Sequence, residues 1–253
     1  MEKKCRCPYC GALEVKVLNA DRNEYLCHAC MKTFVNAKPK DDRREKSVSG
    51  GSGRETFFKR LMSKVVEIHA YFDGNVKAGS GFFVSPDYIL TNAHVVFGDL
   101  SSDAFDNAAT YIAGNDYSKS KKLSFDLIAA DKKSDIAILK SNESVKEFAK
   151  FATGVYNGEQ VVVIGNSLGE GLCVVDGIVS DVSRCVEGKE FFMTSAIVTH
   201  GNSGGPVFNN EGLILGMITE GSGTAVAMNY AIPFDKLEAY VKKVEEDEEI
   251  EIL

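Results

Sequence analysis

The stretch Gly201-Asn202-Ser203-Gly204-Gly205-Pro206 sets a hydroxyl among glycines, just ahead of a chain-redirecting proline. Glycine permits backbone angles closed to other residues, so the amide N–H groups of Gly201 and Ser203 can converge on one point beside the Ser203 hydroxyl. A point lined in this way would hold an oxyanion, which makes Ser203 a candidate nucleophile for acyl transfer. A glycine-rich turn between two strands needs no such chemistry, so the decision rests on what lies upstream.

There the chain reads Thr91-Asn92-Ala93-His94-Val95-Val96 after an apolar strand, and later Ser134-Asp135-Ile136-Ala137-Ile138-Leu139, an acid leading into another strand. Serine is a weak nucleophile at neutral pH. It needs an imidazole to accept its proton and a buried carboxylate to fix the tautomer and stabilise the imidazolium. His94, Asp135 and Ser203 supply those roles. Singly, a histidine after a strand is a structural residue and an aspartate at a strand start is a turn former. It is their joint occurrence in the order His, Asp, Ser that points to a triad.

With these residues in view, the chain resembles the trypsin-like (chymotrypsin-fold) serine peptidases, and within them the HtrA-type branch, over roughly residues 57 to 240. The resemblance runs through Ala78-Gly79-Ser80-Gly81-Phe82-Phe83-Val84 before the histidine and Val163-Ile164-Gly165-Asn166-Ser167-Leu168-Gly169 at the entry to a second barrel. It continues in Asp176-Gly177-Ile178-Val179-Ser180 and Tyr230-Ala231-Ile232-Pro233. It implies an all-β fold of two six-stranded antiparallel Greek-key barrels. His94 becomes the general base, Asp135 its orienting acid and Ser203 the nucleophile, with the Gly201 and Ser203 amides as oxyanion hole. Thr219 falls where such enzymes place a hydroxyl that supports the aspartate, and Thr219 to Gly221 would pair with substrate backbone as an added strand. Where digestive members bury a new ammonium against an Asp, this chain has the neutral Asn202, so activation by cleavage is not expected. Loop ordering driven by substrate or a partner is expected to set the oxyanion hole instead.

The residues before the nucleophile and around Thr219 define the substrate pocket: Ile197, Val198, Thr199, Thr219, Glu220 and Gly221. Ile197 offers no counter-charge to Lys or Arg, so small or medium apolar residues are expected before the scissile bond. Glu220 near the rim reads equally well as favouring a basic neighbour or as a solvated charge. His200 reads as a solvent-facing loop residue and His69 as an alternating strand residue without a function.

The chain opens on a second motif, Cys7-Pro8-Tyr9-Cys10-Gly11 and Cys27-His28-Ala29-Cys30, the pairs separated by sixteen residues. This is zinc-ribbon spacing, in which two tight knuckles bring four thiolates into a tetrahedron around a structural Zn²⁺. So small a segment cannot bury enough core alone, and the metal would supply much of its stability. Two disulfides are the alternative. Cys5 is surplus and His28 reads as a surface residue. Catalysis needs no cofactor.

A chain of 253 residues with 44% hydrophobic content has room for a ribbon and a two-barrel body. The expected organisation is a zinc ribbon over 1–36, a flexible charged and Gly/Ser-rich linker over 37–56 and a protease domain over 57–253. Within the last, the first barrel spans about 57–148, the second about 149–233 and a C-terminal helix 234–247, with helix scarce before Pro233. The helix carries the apolar stripe Phe234, Leu237, Tyr240, Val241 and Val244. The acidic tail from Glu245 onward reads as a frayed, solvated helix end.

Charge divides unevenly, +6 over residues 1–60 and −13 over the rest, for a net of −7. The basic end suits an acidic adaptor or nucleic acid, or is simply a solvated linker. The acidic body excludes wholesale nucleic-acid binding. No apolar leader follows Met1 and no apolar run is long enough to span a bilayer, so a cytoplasmic location is expected, with Cys173 and Cys185 as free thiols on neighbouring strand-like segments. The chain ends too soon for the C-terminal peptide-binding (PDZ) domain of exported HtrA-type enzymes. The sequence thus reads as a serine endopeptidase acting on protein or peptide substrates. Two rivals stand beside that reading: a catalytically silent protease-fold scaffold, and a nucleic-acid or partner-binding module recruited through the ribbon.

Overall fold

A computed structural model describes residues 15–19, 24–27, 33–35, 53–98, 100–101, 107–221 and 228–253, with backbone alone for those before 53 and for 220–221. The chain divides into two units, Met1–Gly51 and Ser52–Leu253. In the first, strands β1 (Val15–Asn19), β2 (Glu24–Cys27) and β3 (Thr33–Val35) form an antiparallel meander in that order. Cys27 ends β2, while Cys7, Cys10 and Cys30 lie outside the described residues.

The second unit begins with helix α1 (Gly53–Met62), starting inside the stretch read as linker. The apolar residues Phe57, Phe58, Leu61 and Met62 recur at helical spacing and pack on the core. Lys59 donates to Glu55 one turn earlier at 2.6 Å. The Gly/Ser run ahead of the helix masks this signal in the sequence.

Two closed antiparallel barrels follow. The first comprises β4 (Val65–Phe72), β5 (Asn75–Phe83), β6 (Tyr88–Thr91), β7 (Tyr111–Asp116), β8 (Lys122–Asp131) and β9 (Ile136–Ser141), closed in the order β4-β5-β6-β9-β8-β7. A single helical turn, α2 (Ala93–Val96), leaves β6. The second comprises β10 (Gln160–Asn166), β11 (Leu172–Val186), β12 (Lys189–Thr194), β13 (Pro206–Phe208), β14 (Ile214–Gly221) and β15 (Asn229–Pro233), closed in the same winding, β10-β11-β12-β15-β14-β13. Helix α3 (Phe234–Glu248) completes the unit.

Side chains alternate across a strand, and here the alternation separates three cores. In β10, Val161 and Val163 point into the second barrel, whereas Val162 and Ile164 join a seam between the barrels. In β4, Val66 and Ile68 fill the first barrel while Val65 faces the seam. Phe82, Leu90 and Ile138 from one barrel meet Phe208, Met217 and Ile232 from the other in that seam, capped by Leu61 of α1 and Leu237 and Val241 of α3. The seam holds the two rims that carry the candidate site in one relation.

Two expectations are corrected here. The tail is not frayed: Glu245 accepts the amides of Ile252 and Leu253 at 2.6 and 2.8 Å, and Ile252 is buried in the seam. Cys173 and Cys185 do not lie on neighbouring segments but near opposite ends of the single strand β11. Cys173 instead meets Ser167, Sγ to Oγ 2.8 Å.

Of the ionisable side chains buried in the body, Glu67 is the least exposed among the described residues. Glu67 of β4 is 3% exposed; Asn115 donates to its Oε2 at 3.2 Å, His69 Nε2 lies at 3.6 Å and Lys119 Nζ lies 3.4 Å from its Oε1. Burial pushes its carboxyl upward, but His69, Asn115 and Lys119 together hold it below the usual glutamate range. A carboxyl lowered on folding stabilises the fold above its unfolded pKa, and that contribution is lost as pH falls through the folded value. Glu67→Gln is therefore expected to melt a few degrees below wild type at pH 7, with the gap closing below about pH 4. Thermal melts across pH 3 to 7 check this, and a gap independent of pH would contradict it.

Candidate active site

Asp135 closes the turn from β8 into β9, in a left-handed backbone conformation (φ +58°). Asp131 pins that turn by accepting the Lys133 and Ser134 amides at 2.9 and 3.3 Å. From there the Asp135 carboxylate receives three donors. The His94 backbone N–H reaches Oδ1 at 2.9 Å, His94 Nδ1 lies 2.9 Å from Oδ2, and Thr219 Oγ1 donates to Oδ2 at 2.6 Å. Asn92 Nδ2 also donates to the Asp135 carbonyl at 2.9 Å. A carboxylate on Nδ1 fixes the proton there and leaves Nε2 as the acceptor of a neutral imidazole.

Ser203 is tied to the same strand by a different atom. Its hydroxyl donates to the Thr219 carbonyl at 3.2 Å, and His94 Nε2 makes no hydrogen bond among the described residues. Thr219 thus joins the group through both ends, side chain to Asp135 and carbonyl to Ser203. A change of χ1 at Ser203 is what would present its hydroxyl to another acceptor.

The glycines around Ser203 have the conformational role read from them. Gly201 has φ +93°, and a Cβ there would lie 2.1 Å from the Asn166 carbonyl oxygen. The Leu168 amide donates to the His200 carbonyl at 2.7 Å. Because a trans peptide points its C=O and N–H in opposite directions, the Gly201 N–H is turned away from Leu168. Neither this N–H nor that of Ser203 has an acceptor among the described residues. Asn202 is buried, with Oδ1 accepting from Ser167 Oγ at 3.1 Å.

Ser80, which the sequence motif contains but to which no role was attached, organises this loop. Its fully buried hydroxyl donates to the Gly201 carbonyl at 2.7 Å and accepts the Asn166 amide at 2.8 Å, while its own amide donates to the Ser203 carbonyl at 2.9 Å. Its place in Gly79-Ser80-Gly81 was the available signal; a partner 121 residues away was not.

Of the pocket residues, Ile197 and Thr199 are exposed and Val198 packs against the second-barrel core. Asn229, buried and unremarked in the sequence, donates to the Ala196 carbonyl at 2.7 Å beneath them. The side chains of Glu220 and Gly221's neighbours at 222–227 lie outside the described residues. His200 is exposed and His69 lies on β4, both as expected.

Comparison with known proteins fits this geometry. A family model described as trypsin-like peptidase domain matches residues 79–217, more than half of the chain. The chain belongs to the trypsin-like peptidase family. This peptidase domain is similar to a probable periplasmic serine endoprotease, DegP-like, of Brucella suis, 36% identical over 170 residues that cover 62% of this chain and 31% of that relative. A protein of the same description from Hahella chejuensis is 37% identical over 167 residues, covering 62% and 33%. The chain therefore matches about a third of the length of these relatives. Among solved structures, a serine endoprotease from Yersinia pestis aligns with a TM-score of 0.66 at 26% identity, covering 78% of this chain and 68% of that one. A protease from M. tuberculosis in its active form gives a TM-score of 0.64 at 22% identity, covering 74% of this chain and 83% of that one, a likeness of fold.

The relatives are named periplasmic, which overturns the cytoplasmic placement expected from the N-terminus. That expectation rested on the lack of an apolar run after Met1, and an absence fixes no compartment. The argument it lent against disulfides among the N-terminal cysteines falls with it.

Two substitutions test the geometry directly. Gly201→Ala should abolish peptide hydrolysis, because its Cβ cannot coexist with the Asn166 carbonyl. Thr219→Val, which removes one donor from the Asp135 carboxylate, should lower kcat about tenfold with the melting temperature little changed. Steady-state kinetics beside thermal melts check both.

Proposed function

We propose that this trypsin-like peptidase domain is a serine endopeptidase that hydrolyses peptide bonds of protein substrates through His94, Asp135 and Ser203. The observation that carries the proposal is the Asp135 carboxylate, which takes both the ring Nδ1 and the backbone N–H of His94 and leaves Nε2 without a hydrogen bond among the described residues. Ser203 Oγ attacks the carbonyl carbon of the scissile bond as its proton passes to Nε2, and the carbonyl oxygen becomes an oxyanion facing the Gly201 and Ser203 amides. Each such donor is typically worth about 10²–10³ in kcat. The imidazolium, stabilised by Asp135, then gives its proton to the leaving amine, and a water repeats the sequence to free Ser203 from the acyl group.

Substrate backbone is proposed to lie along β14. The pairing of β14 with β15 shifts register between Ile218↔Ala231 and Gly221↔Asn229, which takes Thr219 and Glu220 out of the ladder. This leaves backbone groups beside Ser203 for an extended peptide. Small or medium apolar residues before the scissile bond suit Ile197, Val198 and Thr199, none of which carries a charge.

For the N-terminal unit we propose a structural Zn²⁺ held by Cys7, Cys10, Cys27 and Cys30. Four thiolates are a donor set suited to tetrahedral zinc, and Cys27 lies where β2 ends and the chain turns toward β3. The metal would order this unit, with no part in the hydrolytic steps.

A fluorophosphonate probe should label the wild-type chain and leave Ser203→Ala unlabelled; a wild-type chain that stays unlabelled while hydrolysing peptides would overturn the nucleophile. Peptide-library profiling should show apolar residues before the cut, and a strong preference for arginine would refute the pocket reading. Elemental analysis should find about one zinc per chain, lost in Cys27→Ala with labelling retained. Blocked thiols without metal would instead identify disulfides.

A further inference from the structure

Lys77 does not belong to the motifs read from the sequence, yet it reaches the turn that carries His94. From near the start of β5 its half-buried side chain runs past the Phe72 ring, with Nζ 5.6 Å from the ring centroid. The ammonium donates to the carbonyls of His94 at 3.2 Å, Phe97 at 2.8 Å and Gly98 at 3.2 Å. An ammonium has three protons, so one group can serve the His94 carbonyl within the turn and those of Phe97 and Gly98 just beyond it.

The turn α2 has only four residues, too few for helical cooperativity to fix it. Around it, the Val95 amide donates to the Asn92 carbonyl at 3.2 Å, Phe97 to Ala93 at 2.9 Å and Ala109 to Val96 at 2.8 Å. The His94 carbonyl points to Lys77 instead. His94 is therefore gripped from opposite sides. Asp135 holds its N–H and ring, and Lys77 holds its C=O, the usual way a lysine satisfies carbonyls at the end of a helical turn.

We infer that Lys77 is a positioning residue for the proposed base, acting on His94 by fixing its backbone. The inference rests on the reading of His94 as the base. With its backbone held at both N–H and C=O, His94 keeps its ring aligned and its Nδ1–H on Asp135.

The test compares Lys77→Met, Lys77→Gln and Lys77→Arg, with thermal melts to establish that each is folded; Lys77→Gln serves if the Met variant does not fold. In the neutral variants kcat should fall about tenfold with KM little changed. Lys77→Arg should restore most of the wild-type kcat. A second readout needs no turnover: in the Ser203→Ala background, the low-field proton resonance of His94 Nδ1–H should broaden or shift on Lys77→Met and persist on Lys77→Arg. If a folded neutral variant keeps both the wild-type kcat and the wild-type resonance, Lys77 is a structural cap and the inference is wrong. If the wild-type chain hydrolyses no peptide, the peptidase reading fails instead, and the resonance still decides the role of Lys77.

Discussion

A carboxylate that accepts and cannot donate is stable in a protein interior only when donors surround it. Asp135 meets that condition with donors drawn from two barrels: the backbone and ring of His94 from the first, the hydroxyl of Thr219 from the second. The interaction therefore exists only if the barrels keep their relation, which is the work of the seam core between them. Thr219 then passes the constraint on, because its carbonyl accepts the Ser203 hydroxyl. Asp135, His94 and Ser203 come from distant parts of the chain, and one threonine touches both Asp135 and Ser203.

Ser80 does for the Ser203 loop what Thr219 does for Asp135. It sits in the first barrel and holds Gly201 and Ser203 of the second by hydroxyl and amide. With the His200 carbonyl held by Leu168, the peptide ahead of Gly201 is fixed from one side and the peptide after it from the other. The exposed Leu168, with φ +57°, carries local backbone strain that this loop must absorb.

Much of this was legible in the sequence where the chemistry is local. Gly201 and Ser203 announce themselves because a tight turn and a hydroxyl share six residues, and His94 and Asp135 because each abuts a clear strand. The barrels follow from short apolar runs between turn signals. What was not legible depends on contacts between distant segments. Ser80 and Lys77 owe their roles to partners in other segments, and nothing in Val76-Lys77-Ala78 distinguishes a carbonyl clamp from a solvated lysine. Helix α1 was hidden by the Gly/Ser run before it, and the two body cysteines by the unexpected length of β11. The tail was misread because nine residues dominated by acids looked solvated, whereas Ile252 anchors them.

Closed rings of strands have a further consequence. A sheet with a free rim can recruit foreign backbone along its whole length, which is how β proteins nucleate aggregates. Each barrel here consumes its own rims, and the register break near Thr219 is confined to a few residues of β14. Under the proposed mode of substrate binding, an extended chain that adds itself there lies alongside Ser203, so foreign backbone would be templated next to the proposed nucleophile.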